Sequence, residues 1–153
     1  IVQADDDVTG CDVFTASVMV ENAQDMVGYA FKMHWSSPVL TVTEVTDAGF
    51  LLDDPVTSLS RSPGTLSWEA LVLPNPVPPP YEEGADGDGA LATVTLRAMR
   101  NGISKLDLDG TKVEWYDADD PTSPRVPSVE DGMVIVGDGG FVYLPFVLRN
   151  YGP

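Results

Sequence analysis

The chain has 153 residues and a formal charge of -16, from 8 Lys and Arg against 24 Asp and Glu. This balance argues against binding to nucleic acid or to an anionic membrane surface, because both depend on Lys and Arg that neutralise phosphate. Hydrophobic residues make up 43% of the chain, which is enough for one domain with a real core.

Proline and glycine divide the chain into short segments in which Val, Thr, Leu and aromatic residues alternate with other residues. Such alternation is typical of β-strands with one buried face. The only candidate for a helix is a short one at 46–54. The pattern predicts an all-β, two-sheet sandwich, with strands at 13–20, 28–35, 39–45, 66–73, 90–99, 103–108, 112–116 and 132–136.

Two stretches are predicted as loops. Residues 74–80 hold five prolines, which lack the N–H that a central strand needs, and an acidic glycine turn follows at 81–89. The second loop covers 117–124. Neither loop separates two domains, so we expect a single one.

The residues that enzymes use are scarce, and we predict that the protein is not an enzyme. A Ser–His–Asp or Cys–His site would need His34, the one histidine, and no nucleophile motif stands beside it. One histidine and one cysteine, Cys11, do not supply the four ligands of a structural zinc site. Cys11 is predicted to be a small buried residue, and an intermolecular thiol is the alternative.

Clustered carboxylates leave calcium open, because calcium takes oxygen ligands. The preferred candidates are Asp117, Asp119 and Asp120. Other acidic groups are Asp86 and Asp88 with Glu83, and Asp107 with Asp109, but no segment matches an EF-hand loop. Beyond this possible Ca²⁺ we predict no cofactor.

Aromatic side chains leave a carbohydrate-binding module open as well. Trp35, Trp68, Trp115 and Tyr81 would serve it if several of these rings shared one exposed face. Tryptophans in a sandwich are more often core residues, which is the interpretation we prefer.

The chain begins at Ile1 rather than Met, as a processed chain does. We therefore expect that a secretory signal has been removed and that the protein is secreted or lies at the cell surface. An engineered start is the alternative explanation.

The order of several motifs resembles that of cohesin domains over roughly residues 8–136. The motifs are FTASVMVENA at 14–23, GYAF at 28–31, Leu40, GFLL at 49–52, GALATVTLRA at 89–98, GISKLDL at 102–108 and DGMVIV at 131–136. The resemblance implies a nine-stranded jelly-roll sandwich that is secreted, has no catalytic activity and binds protein partners. In cellulosomes those partners are dockerins.

The cohesin-like pattern is complete before the Gly-rich segment 137–140, and residues 141–153 form an apolar tail. We therefore divide the chain into a sandwich at 1–136, a linker at 137–140 and a tail strand at 141–153. Alternation places Val142, Leu144, Phe146 and Leu148 on one wholly apolar face. Pro145 lacks an N–H, so the tail is predicted to be an edge or inserted strand. Its LPFVLRN segment also resembles short endings of some secreted bacterial proteins.

Two placements of the tail remain open: the last strand of its own sandwich, or a strand added to a neighbouring copy. We favour the second, with the four apolar residues as anchors and with head-to-tail assembly into a filament or surface polymer. The partners predicted are copies of the chain itself. A dockerin-type partner and the carbohydrate-binding module are the alternatives.

Overall fold

The computed structural model describes residues 13–72, 83–109, 114–118 and 125–137, and the backbone of the strands at 140–144 and 146–149. In these residues the protein is all-β, which confirms the predicted fold class. The strands are β1 (Val13–His34), β2 (Leu40–Asp47), β3 (Val56–Ser62), β4 (Thr65–Leu71), β5 (Ala85–Ala98), β6 (Gly102–Leu108), β7 (Glu114–Asp117), β8 (Ser128–Glu130), β9 (Gly132–Gly137), β10 (Gly140–Leu144) and β11 (Phe146–Arg149).

The prediction of a short helix at 46–54 is wrong, because β2 continues to Asp47 and a bend follows it. None of the described segments forms a helix with the length and apolar character needed to cross a membrane.

Strand β1 belongs to both layers of the sandwich. Residues 13–20 pair with β5, and β2 extends that layer beyond β5. Residues 28–34 pair with β4 on one edge and with β7 and β6 on the other, and β3 extends that layer beyond β4. The two strands predicted at 13–20 and 28–35 are therefore the two halves of one long element.

A bend between the two halves of β1 is held by the acidic beginning of β5, a strand that starts at Ala85, so the turn predicted to extend over 81–89 is wrong from residue 85 onward. Asn22 and Asp25 have φ of 58° and 54°, a left-handed conformation that Asn and Asp tolerate better than most residues. Their backbone N–H groups donate to Asp88 Oδ1 at 2.8 Å and Asp86 Oδ1 at 2.7 Å. Gly84 donates to Asp25 Oδ1 at 2.7 Å and leaves no room for a Cβ against the Asp25 backbone. These hydrogen bonds fix the point at which β1 passes between the layers.

The core lies between the layers and follows the period-two pattern of the strands. In β1, for example, Tyr29, Phe31 and Met33 are buried, whereas Lys32 and His34 are partly exposed. The largest contributions from the other strands are Leu40, Leu66, Trp68, Leu91, Leu96, Leu106, Leu108 and Trp115.

Candidate functional site

The C-terminal tail forms two short strands that pair with different parts of the domain. β10, which contains Val142 and Leu144, is antiparallel to β9. β11, which contains Phe146 and Leu148, runs parallel to β1 and antiparallel to β8. The predicted linker at 137–140 spans the end of β9 and the first residue of β10. The structure therefore brings each pair of proposed anchors into a strand, but not all four into the same strand.

Strand β11 fills a gap between two strands from opposite ends of the described chain, which we call the β11 slot. Residues 18–21 of β1 form one wall and β8 (Ser128–Glu130) forms the other. The register places Val18 beside Phe146 and Val20 beside Leu148. Val18 and Val20 are fully buried, whereas the residues that alternate with them are half-buried. Without β11 this edge of β1 would lose its ladder partner and expose backbone N–H and C=O groups.

A second surface is the outward face of the layer that contains β3 and β4. All seven residues of β3 are exposed, including Val56 and Leu59. Beside them lies a shallow groove of about 340 Å³, which we call the β3–β4 groove. Its lining is mostly polar and includes Lys32, Ser58, Ser60, Ser67, Glu69 and Glu114. Strand β3 was missed in the sequence because VTSLSRS carries no buried apolar alternation.

The candidate calcium ligands are only partly described. Asp117 is buried and its Oδ2 lies 2.7 Å from Nη2 of Arg125, an exposed side chain of the same chain, so its charge is already paired. Asp119 and Asp120 lie outside the described residues. In the described part of the chain, no three or more His, Cys, Asp or Glu side chains are grouped so that they could hold a metal ion. Calcium binding therefore stays a prediction.

His34 lies between a hydroxyl and a carboxylate, but the geometry is not that of a catalytic triad. Its Nδ1 is 3.1 Å from Thr65 Oγ1, which is a hydrogen bond. Its Nε2 is 4.0 Å from Asp109 Oδ2, which is too long for one. A base whose ring is not held by a hydrogen-bonded carboxylate lacks the orientation that activates a nucleophile.

The three tryptophans do not form a platform for sugar rings. Trp35, Trp68 and Trp115 are 9%, 5% and 1% exposed. Trp35 Nε1 donates to Leu40 O and Trp68 Nε1 donates to the hydroxyl of Tyr29, so both indoles are engaged inside the domain. Tyr81 lies outside the described residues. The carbohydrate-binding hypothesis therefore loses the feature on which it rested, because stacking needs exposed rings.

The hydroxyl of Tyr29 ties four strands together beneath these surfaces. It lies within donating distance of Leu91 O and of Asp47 Oδ1, the latter at 2.9 Å, and it accepts a hydrogen bond from Trp68 Nε1 at 3.3 Å. Burial, with a smaller contribution from the carboxylate of Asp47, raises the pKa of Tyr29 well above its ordinary value of 10.0.

We expect Tyr29→Phe to lower the free energy of unfolding by about 1–3 kcal/mol near neutral pH, since it leaves buried partners unpaired. The raised pKa also predicts a loss of stability in alkali. The unfolded chain releases the tyrosine proton near pH 10 and the folded chain does not, so stability is complete below pH 10 and falls above it. Urea titrations between pH 8 and pH 11 should show a shallower alkaline decline in the Phe variant.

Tyr116→Phe provides a matched control for this pH dependence. Partial burial and the hydrogen bond to Glu114 raise the pKa of Tyr116 to about 12, and its hydroxyl lies nearer the surface. Removal of this hydroxyl should make the fall in the free energy of unfolding shallower only between pH 10 and about 12. At neutral pH the variant should lose little stability. An alkaline decline that is unchanged in both variants would show that other groups control it.

Solved cohesins share this fold over most of their length. CaCohA2 of Clostridium acetobutylicum, in a complex with CaDoc0917, gives a TM-score of 0.69 at 16% identity, over 85% of this chain and 93% of that chain. The third cohesin ScaC of Acetivibrio cellulolyticus, in complex with the ScaB dockerin, gives 0.66 at 15% identity, over 84% and 91%. A non-cellulosomal cohesin of Archaeoglobus fulgidus gives 0.57 at 17% identity, over 93% and 83%.

No family model matches the chain, and no curated protein matches its sequence. At these identities the likeness is one of fold, and it extends over both layers of the sandwich. It agrees with the resemblance found in the order of the sequence motifs. In its fold, this chain is a cohesin-like domain, a jelly-roll β-sandwich.

Proposed function

We propose that this chain is a non-catalytic, extracellular module for protein–protein assembly, and that its principal partner is another copy of itself. The observation that carries the proposal is the position of β11. This strand is the last in the described chain, yet it pairs with the first strand, in parallel, through residues 18–21. A second copy carries the same strand and the same slot, so the same pairing is available between chains.

Strand donation of this kind gives a directed assembly. Each chain would offer β11 at one place and the β11 slot at another, so the contact is heterologous. Such contacts build rings where the rotation closes and filaments where it does not. The net charge of -16 favours a specific contact of this kind over unspecific association, because like-charged surfaces repel.

The test compares the full chain with a chain that ends at Gly137, using light scattering after gel filtration. We expect large species from the full chain and a monomer from the shortened one, because the latter lacks β10 and β11. Far-UV circular dichroism should show that the shortened chain keeps its β-structure. Monomers in both cases, with a lower melting temperature after shortening, would instead make the tail a strand of its own domain.

A dockerin-type partner is the second candidate. It is favoured by the fold, since the cohesin ScaC that shares it is bound to a dockerin, and by the exposed face that contains the β3–β4 groove. A pull-down with a calcium-loaded dockerin tests this candidate. Ser58→Arg together with Ser67→Arg, which fills the groove with bulk and positive charge, should weaken any binding there. These changes should leave a self-assembly through β11 unchanged.

A further inference from the structure

A cleft opens on the side of the sandwich where the last strands of the two layers approach each other, and we call it the β2–β3 cleft. Among the described strands, β2 pairs with β5 alone and β3 pairs with β4 alone, so each ends its layer. The cleft between them has a volume of about 360 Å³, which lies in the range of small-molecule sites.

The walls of the cleft are held by hydrogen bonds on both sides. The backbone N–H of Trp35 donates to Gly64 O at 3.0 Å, and its Nε1 donates to Leu40 O at 3.1 Å. The carbonyl of Ser36 accepts from the N–H groups of Val39 and Leu40, both at 3.0 Å. Gly64 has a φ of 80°, and a Cβ added to it would lie 3.1 Å from Trp35 O, so the β3–β4 turn packs directly on this segment. The cleft is therefore preformed, which lowers the entropic cost of binding.

The floor of the cleft is apolar and its rim is polar. Trp35, Leu40 and Val42 form the floor and are buried, whereas the hydroxyl-bearing Ser37 and Ser62 at the rim are exposed. Of the described residues that line the cleft, one is charged, an arginine, and none is acidic, although the chain has 24 Asp and Glu. The cleft thus has the opposite charge to the protein as a whole.

The charged residue is Arg61, and the register of β3 directs it into the cleft. Arg61 pairs with Leu66, whose side chain is buried, so both side chains face the opposite layer. Nη1 of Arg61 donates to Val42 O at 3.1 Å, which positions the guanidinium across the cleft. In the described part of the chain no carboxylate forms an ion pair with Arg61, whereas Lys105 and Arg125 each have a carboxylate oxygen at 2.7 Å. The remaining donors of Arg61 can therefore bind an anion.

We propose that the β2–β3 cleft binds a small monocarboxylate with a compact apolar body. The carboxylate pairs with Arg61, because a planar guanidinium matches its two oxygens. The apolar body lies on the floor formed by Trp35, Leu40 and Val42. A dianion such as phosphate fits less well, because one guanidinium leaves its second charge unbalanced in a chain with a net charge of -16. The site does not involve β11 and goes beyond the proposed assembly.

Saturation-transfer difference NMR of phenylacetate with the full chain tests the proposal. This method observes the ligand, so it serves for a monomer and for large species alike. We expect saturable binding with a Kd on the order of 1 mM, which is usual for a probe of this size. Phenylacetamide has the same shape and no charge, and it should bind about tenfold more weakly because it loses the charge-assisted hydrogen bonds.

Variants place the probe in the cleft. Arg61→Gln should weaken the binding of phenylacetate about tenfold, because it removes the guanidinium. Arg100→Gln is the matched control, since it removes the same charge from an exposed residue that does not line the cleft. Ser37→Phe fills the cleft from its rim and should abolish binding while it keeps Arg61. Circular dichroism shows whether each variant is folded, and if Arg61→Gln is not, the amide probe and Ser37→Phe still decide.

Each outcome either supports the proposal or overturns it. Binding that is lost in Arg61→Gln and Ser37→Phe but kept in Arg100→Gln supports it. Equal affinity for phenylacetate and phenylacetamide, or an unchanged affinity in Arg61→Gln, overturns the assignment of a carboxylate. Unchanged binding in Ser37→Phe, or an equal loss in Arg100→Gln, overturns the cleft as the site. No saturable binding up to about 10 mM overturns the site altogether. None of these results changes the mass in solution, which tests the proposed assembly separately.

Discussion

Replacing Trp115 with alanine is expected to lower the free energy of unfolding by about 3–5 kcal/mol, the usual cost of deleting a large buried aromatic side chain. Trp115 is 1% exposed and lies in β7, where it pairs with Tyr29 of β1. Its backbone also exchanges two hydrogen bonds with Arg125, at 2.9 and 2.8 Å. The variant would therefore open a cavity at the place where β7 joins the core. Urea unfolding followed by circular dichroism measures the loss.

Trp115→Phe separates packing from hydrogen bonding at this position. Nε1 of Trp115 is buried and has no hydrogen-bond partner among the described residues. Phenylalanine keeps most of the apolar volume and removes that unpaired donor, so we expect it to cost less than half as much as alanine. If both variants lose the same free energy of unfolding, the indole makes a contact that neither its volume nor its apolar area accounts for.

Trp115 was predicted to be a core residue, and it illustrates which parts of the fold sequence patterns can predict. Alternation located most strands within a few residues, because one face of each lies on the core and the other does not. The same reasoning failed for β3, which is exposed along its whole length and so has no apolar period. It also divided β1 in two, because alternation was followed only over 13–20 and again over 28–35. The carboxylates of Asp86 and Asp88, distant in sequence, accept hydrogen bonds from the backbone at the bend that joins the two halves.

The tail marks a different limit. Its sequence predicted an apolar strand, and β10 and β11 are strands. The neighbours of β11 were not predictable, because the partners in a strand pairing depend on the closure of the whole chain and leave no local pattern. A four-residue wall of β1 and the short β8 form the slot. A single tail strand was predicted over 141–153, whereas the described backbone forms two, β10 and β11.

The net charge bears on the strand donation between copies that we propose. A chain with 24 acidic residues repels its copies at low ionic strength, and this repulsion weakens as salt screens it. Strand pairing depends instead on backbone hydrogen bonds and apolar burial, which salt screens little. Assembly through β11 should accordingly be favoured, rather than dissolved, by moderate salt. Its contacts with β1 would remain the determinants of register.

The combination of Phe146→Asp with Leu148→Asp is expected to abolish the large species and to leave a folded monomer. The register sets these positions beside Val18 and Val20, which are fully buried. Burial of a large apolar side chain contributes roughly 1.5–3 kcal/mol, and an unpaired carboxylate in such surroundings is costly. Two charges would therefore keep β11 out of the slot of any copy. Light scattering gives the mass, and circular dichroism shows whether the domain is folded.

Val147→Asp is the matched control, since it adds a charge to the same strand beside Met19, which is only half-buried. We expect this variant to assemble like the parent chain. If it fails to assemble as completely as the double variant, added charge rather than the register of the strand controls assembly. Large species that persist in the double variant would show that β11 is not the connector. If the parent chain is a monomer and the double variant has a lower melting temperature, β11 is a strand of its own domain.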